Sequence, residues 1–514
     1  MPDFKNEFSR NLISNSAYFI LNILIGLLIV PFYIDTLGIA AYGIIPLATS
    51  INSYVMIILA PLDQAISRFL TIHIQRSDAT EATKVFNTSL FSIIALILIF
   101  TPIAVVIAWF VPDFFDISVV QKSSVFLLFV LIFFSSFVQG FEKPFSALMY
   151  AFNKINLINY IAIFKLLLST GIIIALLLTL TPSVYIIGVA YFSSAVISLV
   201  LTITLSRKIY KIQISTADFS KRHFFEVATL TKWIIVEQIG TLILLQFSLI
   251  LVNKELGTTT GGEYAIVLTF FTLLWTITSQ ITKVLSPIYY TYFARGLFSS
   301  IHELSRISVK SIGLLMALPV ALICIFSRQL LTIWVGAEFA HLSTLLWIFT
   351  VPLTMILAFR PLNMSYAAYN KVIVPGIATV IAGIFNVILA VVLTYVFGLG
   401  EYGIAFAFIF AMILRNVVFV PWYTAKVEGV PPALFYYPAI PGFLAFVVLI
   451  LLGLSLGSIV TIPASLLPII LISGGISIIY IIIVTHMILT IPERKLIRSI
   501  LPFGISKKLP RWVI

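Results

Sequence analysis

Residues 86–111 read FNTSLFSIIALILIFTPIAVVIAWFV, an unbroken stretch without a charged side chain. A helix needs about 20 consecutive apolar residues to cross the hydrocarbon core of a bilayer. Backbone groups meet no water there, so a spanning segment satisfies its own hydrogen bonds by forming a helix. The stretch therefore predicts a transmembrane helix, because it is too long for one strand of a soluble core.

Segments of the same kind occupy most of the remaining chain. We identify fourteen in the 514 residues, at about 12–34, 40–60, 86–111, 123–141, 157–180, 184–205, 233–253, 263–285, 311–327, 342–359, 372–396, 403–423, 436–458 and 464–489. Only 10% of the residues are charged, against about 25% in a typical soluble protein. This composition excludes an ordinary soluble enzyme, a disordered chain and a nucleic-acid-binding module. The predicted fold class is an all-α polytopic membrane protein with about fourteen transmembrane helices.

The positive charges predict the orientation of these helices. Of the 31 lysines and arginines, 25 lie at the termini or in loops on the side of the termini, three lie in the opposite loops and three lie inside segments. Because cytoplasmic loops are enriched in Lys and Arg, both termini should lie in the cytosol, as in a multi-pass protein of the cell (inner) membrane. The net charge of +12 is thus a mark of topology and does not indicate a nucleic-acid partner.

The sequence offers little for enzymatic chemistry. All outer loops are short, whereas membrane polymerases, ligases and glycosyltransferases usually carry a large outer catalytic loop. The five histidines form no metal-spaced pair, and the single cysteine, Cys324, cannot form an intramolecular disulfide. We therefore expect no metal, no cofactor and no enzymatic activity.

The sequence contains an internal repeat. The following segments match in the same order: Leu37-Gly38 with Leu256-Gly257, Lys143-Pro144 with Arg360-Pro361, Phe152-Asn153-Lys154 with Tyr369-Asn370-Lys371, and Gly188-Val189-Ala190 with Gly403-Ile404-Ala405. Their nearly constant offset indicates a duplication. Helices 1–6 then correspond to helices 7–12, and the two halves run parallel because six is even.

This duplication predicts three domains. Residues 1–220 form an N-terminal six-helix lobe, and residues 221–425 form a C-terminal six-helix lobe. Residues 426–514 add helices 13 and 14 and a basic cytoplasmic tail. Halves related by an axis along the membrane normal place a substrate path between two lobes.

One charge lies deep in a predicted helix. Arg415 is about 12 residues into helix 12, or roughly 18 Å along it, too far for easy escape to either interface. A charge at this depth costs about 2.5–3.5 kcal/mol on insertion scales. We predict that Arg415 binds an anionic substrate. The alternative is a structural arginine paired with a carbonyl or carboxylate between helices.

Three further cations lie at predicted cytosolic helix ends. Lys143 and Arg360 are repeat partners at the ends of helices 4 and 10, and Arg68 follows helix 2. They are candidates for capturing a phosphate group, because Arg offers two parallel hydrogen bonds and Lys a point charge. The alternative for each is anchoring at the cytosolic interface.

Lys165, Lys283 and Glu237 also lie inside predicted helices. Lys165, in helix 5, is a substrate-binding candidate that also has access to the cytosol by snorkelling. Snorkelling alone accounts for Lys283, near the end of helix 8. Glu237 is the only carboxylate clearly inside a predicted span. It is our candidate for coupling to a proton or sodium ion, with pairing to a basic neighbour as the alternative.

Short motifs along helices 1–12 resemble the polysaccharide-transporter branch, which includes O-antigen flippases, of the multidrug/oligosaccharidyl-lipid/polysaccharide (MOP) exporter superfamily. They are Pro31, Leu37-Gly38, Tyr42-Gly43, Arg68-Phe69, Leu331-Thr332-Ile333-Trp334-Val335-Gly336 with Glu338-Phe339, and Tyr402-Gly403-Ile404-Ala405. Fourteen helices is the usual count in this branch. The drug-extruding branch usually has twelve, with a carboxylate in helix 1, where this chain has none before Asp35.

The resemblance implies a flippase for polyprenyl-diphosphate-linked oligosaccharide, such as an O-antigen unit. It implies movement from the inner to the outer leaflet by alternating access through a cationic cavity between two lobes. The implied partners are this lipid-linked glycan, membrane lipids and glycan polymerase or assembly proteins. An ion-coupled small-molecule or drug exporter of the same superfamily is the alternative, and an integral membrane enzyme of glycan assembly is a third hypothesis.

Overall fold

A computed structural model describes residues 2–57, 59–459, 463–490 and 493–494. These residues are nearly all helical and include no strand. The α-helices are α1 Pro2–Leu37, α2 Ile39–Val55, α3 Leu59–Gln75, α4 Ala79–Phe114, α5 Val119–Ala151, α6 Ile155–Thr179, α7 Tyr185–Ile209, α8 Lys221–Ala294, α9 Phe298–Ile325, α10 Ser327–Trp334, α11 Ser343–Thr350, α12 Leu353–Ala358, α13 Leu362–Ala368, α14 Ile373–Tyr395, α15 Gly400–Ile413, α16 Val420–Glu428, α17 Ala433–Ile459 and α18 Leu466–Ile483. Two π-helical turns, Leu414–Phe419 and Val484–Ile488, extend α15 and α18.

The all-α membrane fold is confirmed, whereas the number of spans is not. Eleven helices in the described ranges are long and apolar enough to cross a membrane, or twelve if the bent pair Ala337–Thr350 and Leu353–Ala368 is one span. The second predicted segment corresponds to α2, which has 17 residues. The seventh and eighth both lie within α8, where a kink with non-helical backbone angles at Gly257 separates the first part of α8 from the second.

Backbone angles support the duplication. Gly38 and Gly257 both have positive φ, at 83° and 84°, and lie 219 residues apart. The non-glycine residues Asn153 and Asn370 share φ values of 57° and 56° at an offset of 217. Non-glycine residues rarely adopt this conformation, so its recurrence at matched positions reflects a common local structure. The domain boundaries at 220 and 425 stay predictions.

Helix α5 continues past its predicted end. The sequence places that end near residue 141, before the Lys143-Pro144 pair, but α5 extends to Ala151 with Pro144 inside it. Lys143 and its neighbour Glu142 therefore lie within a helix. The corresponding helix of the second repeat is interrupted. Because α12 ends at Ala358 and α13 begins at Leu362, Arg360 lies in a break between two short helices.

The chain forms two compact units, Met1–Ala265 and Ile266–Ile514. In the first, α5 and α7 pack together, and α5 contributes the buried side chains of Phe129 and Phe133. In the second, α9 packs against α12 and α17. The predicted basic tail, apart from Glu493 and Arg494, lies outside the described residues.

A close contact between repeat partners lies within the first unit. A Cβ atom on Gly43 would lie 2.7 Å from the backbone nitrogen of Gly262 and still closer to the carbonyl oxygen of Thr258. A Cβ atom on Gly262 would lie 2.5 Å from the carbonyl oxygen of Ile39. Residues 39 and 43 are the repeat counterparts of residues 258 and 262, so the contact is symmetric. Small residues permit such backbone approach in membrane helices.

We expect Gly43→Ala to destabilise the protein. The added methyl group meets backbone atoms that cannot rotate away, and overpacking of this kind costs about 1–3 kcal/mol. The midpoint of thermal aggregation of the detergent-solubilised protein should fall. Gly171→Ala on α6 is the matched control, because no atom lies within 4 Å of the added Cβ. Equal midpoints for the two variants would contradict the tight contact at Gly43.

Candidate functional site

Arg415 is buried in the second compact unit, with 8% of its surface exposed. It lies on the π-helical turn Leu414–Phe419, and single π turns inside α-helices often occur at functional sites. Its Nε donates to Thr379 Oγ1 at 2.9 Å, and its Nη2 lies 3.5 Å from the Tyr366 hydroxyl. Its Nη1 is buried, and no described residue accepts a hydrogen bond from it. The guanidinium group therefore keeps an unused donor.

Arg360 lies in the break between α12 and α13. Its guanidinium carbon is 3.6 Å from the centre of the Trp275 ring, and its Nη2 donates to Ser279 Oγ at 2.7 Å. Trp275 and Ser279 are four residues apart on α8, so they present one face to the arginine. The Arg360 Nε is buried, and within the described ranges it has no hydrogen-bond partner. Stacking on an aromatic ring holds the guanidinium group in place without neutralising it.

The two arginines form a cationic pair. The charge of Arg415 acts directly on Arg360, and Tyr366 is an electrostatic neighbour of Arg360 as well as a contact of Arg415. Neither guanidinium group makes a salt bridge with a carboxylate among the described residues. Two uncompensated charges and two unused N–H donors suit an anion with several oxygen atoms, such as a phosphate or diphosphate.

Lys143, the repeat partner of Arg360, is neutralised. Its Nζ lies 3.1 Å from Asp63 Oδ2, and about a third of each side chain is exposed. Residues of α3 correspond to residues of α8 that lie 219 positions later in the chain. The counterpart of Asp63 in the second repeat is therefore Thr282. The carboxylate that neutralises the cation in the first repeat is thus replaced by a neutral side chain in the second.

Lys165 lies on α6 in the first unit, beside a cavity of about 280 Å³. Hydroxyl and amide side chains dominate its polar lining, which includes Tyr18, Thr49, Asn52, Ser135, Ser136, Gln139, Ser169, Tyr191 and Ser194. The charge of Glu142 acts favourably on Lys165. Glu142 accepts hydrogen bonds from Thr202 at 2.6 Å and Ser198 at 3.3 Å. The lysine is therefore less available to an anion than the arginines.

The remaining sequence candidates lie elsewhere. Arg68 is exposed on α3 and Lys283 is exposed on α8, and the snorkelling of Lys283 stays a prediction. Glu237 lies on α8, but its side chain is outside the described residues, so its coupling role stays a prediction. The described residues contain no group of three or more potential metal-ligating His, Cys, Asp or Glu side chains.

Several residues of the site were missed by the sequence analysis. Trp275, Ser279, Tyr366 and Thr379 position the two arginines, yet each is a common residue type in an apolar helix. The spacing of Trp275 and Ser279 marks one face of a helix, but the sequence does not show that Arg360 lies against it. Glu142 was overlooked because the predicted span ended one residue earlier.

The fold is that of an all-α integral membrane protein, with a pair of neighbouring arginines in its second unit. Residues 8–293 match the family described as polysaccharide biosynthesis protein, and the chain belongs to that family. It is 29% identical over 433 residues to a Bacillus subtilis (strain 168) protein named uncharacterized membrane protein EpsK. The aligned region covers 82% of this chain and 84% of that protein.

Solved structures share the fold at low sequence identity. An inward-facing multidrug resistance MATE family transporter of the MOP superfamily aligns with a TM-score of 0.66 and 14% identity, over 82% of this chain and 98% of the transporter. The lipid II flippase MurJ in an inward closed conformation aligns with a TM-score of 0.62 and 14% identity, over 89% of this chain and 98% of MurJ. Both support the fold that the sequence motifs indicated.

Proposed function

We propose that the protein is a flippase for polyprenyl-diphosphate-linked oligosaccharide and that Arg360 and Arg415 bind the diphosphate. The observation that carries the proposal is a pair of arginines to which the described residues offer no carboxylate partner, in a membrane protein of a polysaccharide biosynthesis family. In this proposal the protein is a transporter of the cell (inner) membrane with cytosolic termini, and it works by alternating access.

Fixed positive charges address the main energetic barrier to such transport. Moving a diphosphate outward across an inside-negative membrane releases about 2.3 kcal/mol per charge for every 100 mV. Burying the uncompensated anion costs far more than this gain. Arginines that are already desolvated and held by Trp275, Ser279 and Thr379 lower that barrier without reorganising. The polyprenyl tail has no need to leave the lipid.

The cavity beside Lys165 has a composition suited to the sugar. Its hydroxyl and amide groups include both donors and acceptors of hydrogen bonds, which a neutral oligosaccharide requires. Lys143 and Lys165 are secondary candidates in this proposal, because Asp63 and Glu142 compensate their charges. Arg68, which is exposed, is a candidate for first contact with the anionic head group. Glycan polymerase or assembly proteins stay predicted partners.

Complementation tests the proposal. The chain is expressed in a bacterium whose own oligosaccharide flippase is deleted, and surface glycan and inner-leaflet precursor are measured. We expect surface glycan to return and the precursor pool to fall. Because a mismatched glycan also prevents rescue, purified protein is assayed in parallel in vesicles that contain a polyprenyl diphosphate carrying one fluorescent sugar. Absence of probe flipping in these vesicles, together with drug resistance of the cells, would replace the proposal by the drug-exporter alternative.

A further inference from the structure

A second buried charge lies in the second unit, on the last residue of α16. The Glu428 side chain is fully buried. Its Oε1 accepts hydrogen bonds from Ser305 at 3.1 Å and from Ser365. Its Oε2 lies 3.5 Å from His302 Nε2, and neither atom has a hydrogen-bond partner among the described residues. A carboxylate oxygen and an imidazole nitrogen thus lie close together, and the described residues form no hydrogen bond with either atom.

The fold itself does not require this polar cluster. The repeat offsets of 219 and 217 give the counterparts of its residues in the first repeat. Tyr289 corresponds to Leu70, Ser305 to Phe86 and Ser365 to Leu148. All three of these apolar side chains are buried. The same helical framework is therefore packed with apolar groups in one copy and with a buried carboxylate and its hydroxyl partners in the other. A buried, incompletely satisfied carboxylate is costly, so its presence in only one copy points to a function.

The imidazole is the part of the cluster that lies at the protein surface. About a quarter of the His302 side chain is exposed, whereas the Glu428 side chain is not exposed at all. His302 lies near the start of α9 and Glu428 at the end of α16, and the predicted topology places both ends on the cytosolic side. A proton arriving from water meets His302 first and Glu428 second. Histidine is the side chain best suited to pass it on near neutral pH.

The other titratable groups around Glu428 leave its charge largely uncompensated. Tyr289 on α8 donates to Ser305 at 3.2 Å, and Tyr369 after α13 is a further electrostatic neighbour of the carboxylate. On its own helix, Lys426 lies 5.5 Å from the Trp422 ring. On α9, Glu303 and Arg306 are exposed. The residues that α17 contributes to this core, Phe435 and Ala439, are apolar. His302 is therefore the basic side chain that lies against the carboxylate.

One short helix connects this cluster to the arginine pair. Ser365 of α13 donates to Glu428, and the next residue, Tyr366, contacts Arg415. Arg360 lies immediately before the same helix. A change in the charge of Glu428 would alter the hydrogen bond from Ser365, and α13 would carry that change towards both guanidinium groups. A contiguous hydrogen-bonded element of this kind is a physical route for coupling two sites.

We propose that Glu428 and His302 form a proton-exchange site that couples anion binding at Arg360 and Arg415 to protonation from the cytosol. His302 takes a proton from water at one ring nitrogen and releases one from Nε2 to Glu428 Oε2, which neutralises the carboxylate; the reverse steps return a proton to water. The exchange site itself stands independently, whereas its coupling to transport rests on the proposed flippase function.

Infrared difference spectroscopy tests the exchange site without any substrate. The purified full-length protein in lipid vesicles is titrated with acid while the C=O stretch of protonated carboxylic acids is recorded. We expect a titrating band that disappears in Glu428→Gln and persists in Glu303→Gln, an exposed glutamate next to His302. His302→Asn, which keeps the carboxylate, should shift the titration. A band unchanged in Glu428→Gln, or one displaced by sodium at constant pH, would overturn the proposal.

Flipping of the fluorescent polyprenyl diphosphate tests the coupling. A single titrating group changes the active population by up to about tenfold per pH unit, so the wild-type rate should vary with pH within that limit. The rate of Glu428→Gln should be independent of pH, while Glu303→Gln should follow the wild type. A pH dependence that persists in Glu428→Gln would refute the coupling. If the wild type does not flip the probe, the flippase proposal and the coupling both fail, and the infrared result still decides the exchange site.

Discussion

Flipping of a polyprenyl-diphosphate-linked sugar should fall by roughly a hundredfold when Arg415 is replaced by alanine. The variant loses the charge and the unused Nη1 donor, and a hydrogen bond to a charged group contributes about 1.5–3 kcal/mol. At 3 kcal/mol, with about 1.4 kcal/mol per factor of ten, the loss is about two orders of magnitude. Initial flipping rates in vesicles with equal amounts of protein measure the effect.

The amount of folded Arg415→Ala protein distinguishes a binding arginine from a structural one. Removing a charge from the middle of a span relieves an insertion cost of about 2.5–3.5 kcal/mol, so membrane insertion should not suffer. Arg415→Lys serves as the matched control, because it keeps the charge but not the guanidinium geometry that reaches both Thr379 and Tyr366. We expect intermediate activity for it. Full activity of the alanine variant, or its loss from the membrane, would contradict the binding role.

Arg360→Ala should impair transport far more than Lys143→Ala. The two residues are repeat partners, but Asp63 already neutralises Lys143, whereas Arg360 has no carboxylate partner in the part of the chain that the structure describes. We expect a loss of roughly tenfold to a hundredfold for the arginine, from the same range of about 1.5–3 kcal/mol per charged hydrogen bond. The lysine variant should stay within about a factor of five of the wild type, because partly exposed ion pairs contribute up to about 1 kcal/mol.

A neutralising substitution tests the same point without removing the arginine. Thr282→Asp places a carboxylate at the position that Asp63 occupies in the first repeat. We expect it to reduce transport as strongly as Arg360→Ala, because the anion would compete with a fixed carboxylate for the guanidinium group. Thr282→Asn, similar in size but uncharged, is the control and should remain active. Equal rates for the Asp and Asn variants would show that the charge of Arg360 is not used.

The sequence was most informative where energy penalties are large. A buried arginine in lipid is so costly that Arg415 stands out from its position alone, and the structure shows it buried with one donor unused. The apolar segments likewise predicted the all-α membrane fold. The repeat motifs fall at recurring positive φ angles, because the turns at Gly38 and Asn153 need an unusual backbone conformation.

The sequence was least informative where tertiary contacts decide. Whether a cation is neutralised depends on a partner far along the chain, and nothing local distinguishes Lys143, which meets Asp63, from Arg360, which meets Trp275. Hydropathy also misplaced the end of α5, because the helix continues through polar residues as far as Ala151. Glu428 was overlooked for the same reason, since it follows the predicted twelfth span by several residues.

The contact around Gly43 and Gly262 has the form of an isologous interface, in which each partner presents the same residues to the other. Two identical chains related by a two-fold axis would meet in this manner, so this contact has the geometry of a homodimer interface within one polypeptide. In a homodimer every substitution occurs twice. Within one polypeptide the two matching positions can differ. An aspartate therefore occupies position 63 while a threonine occupies the matching position 282.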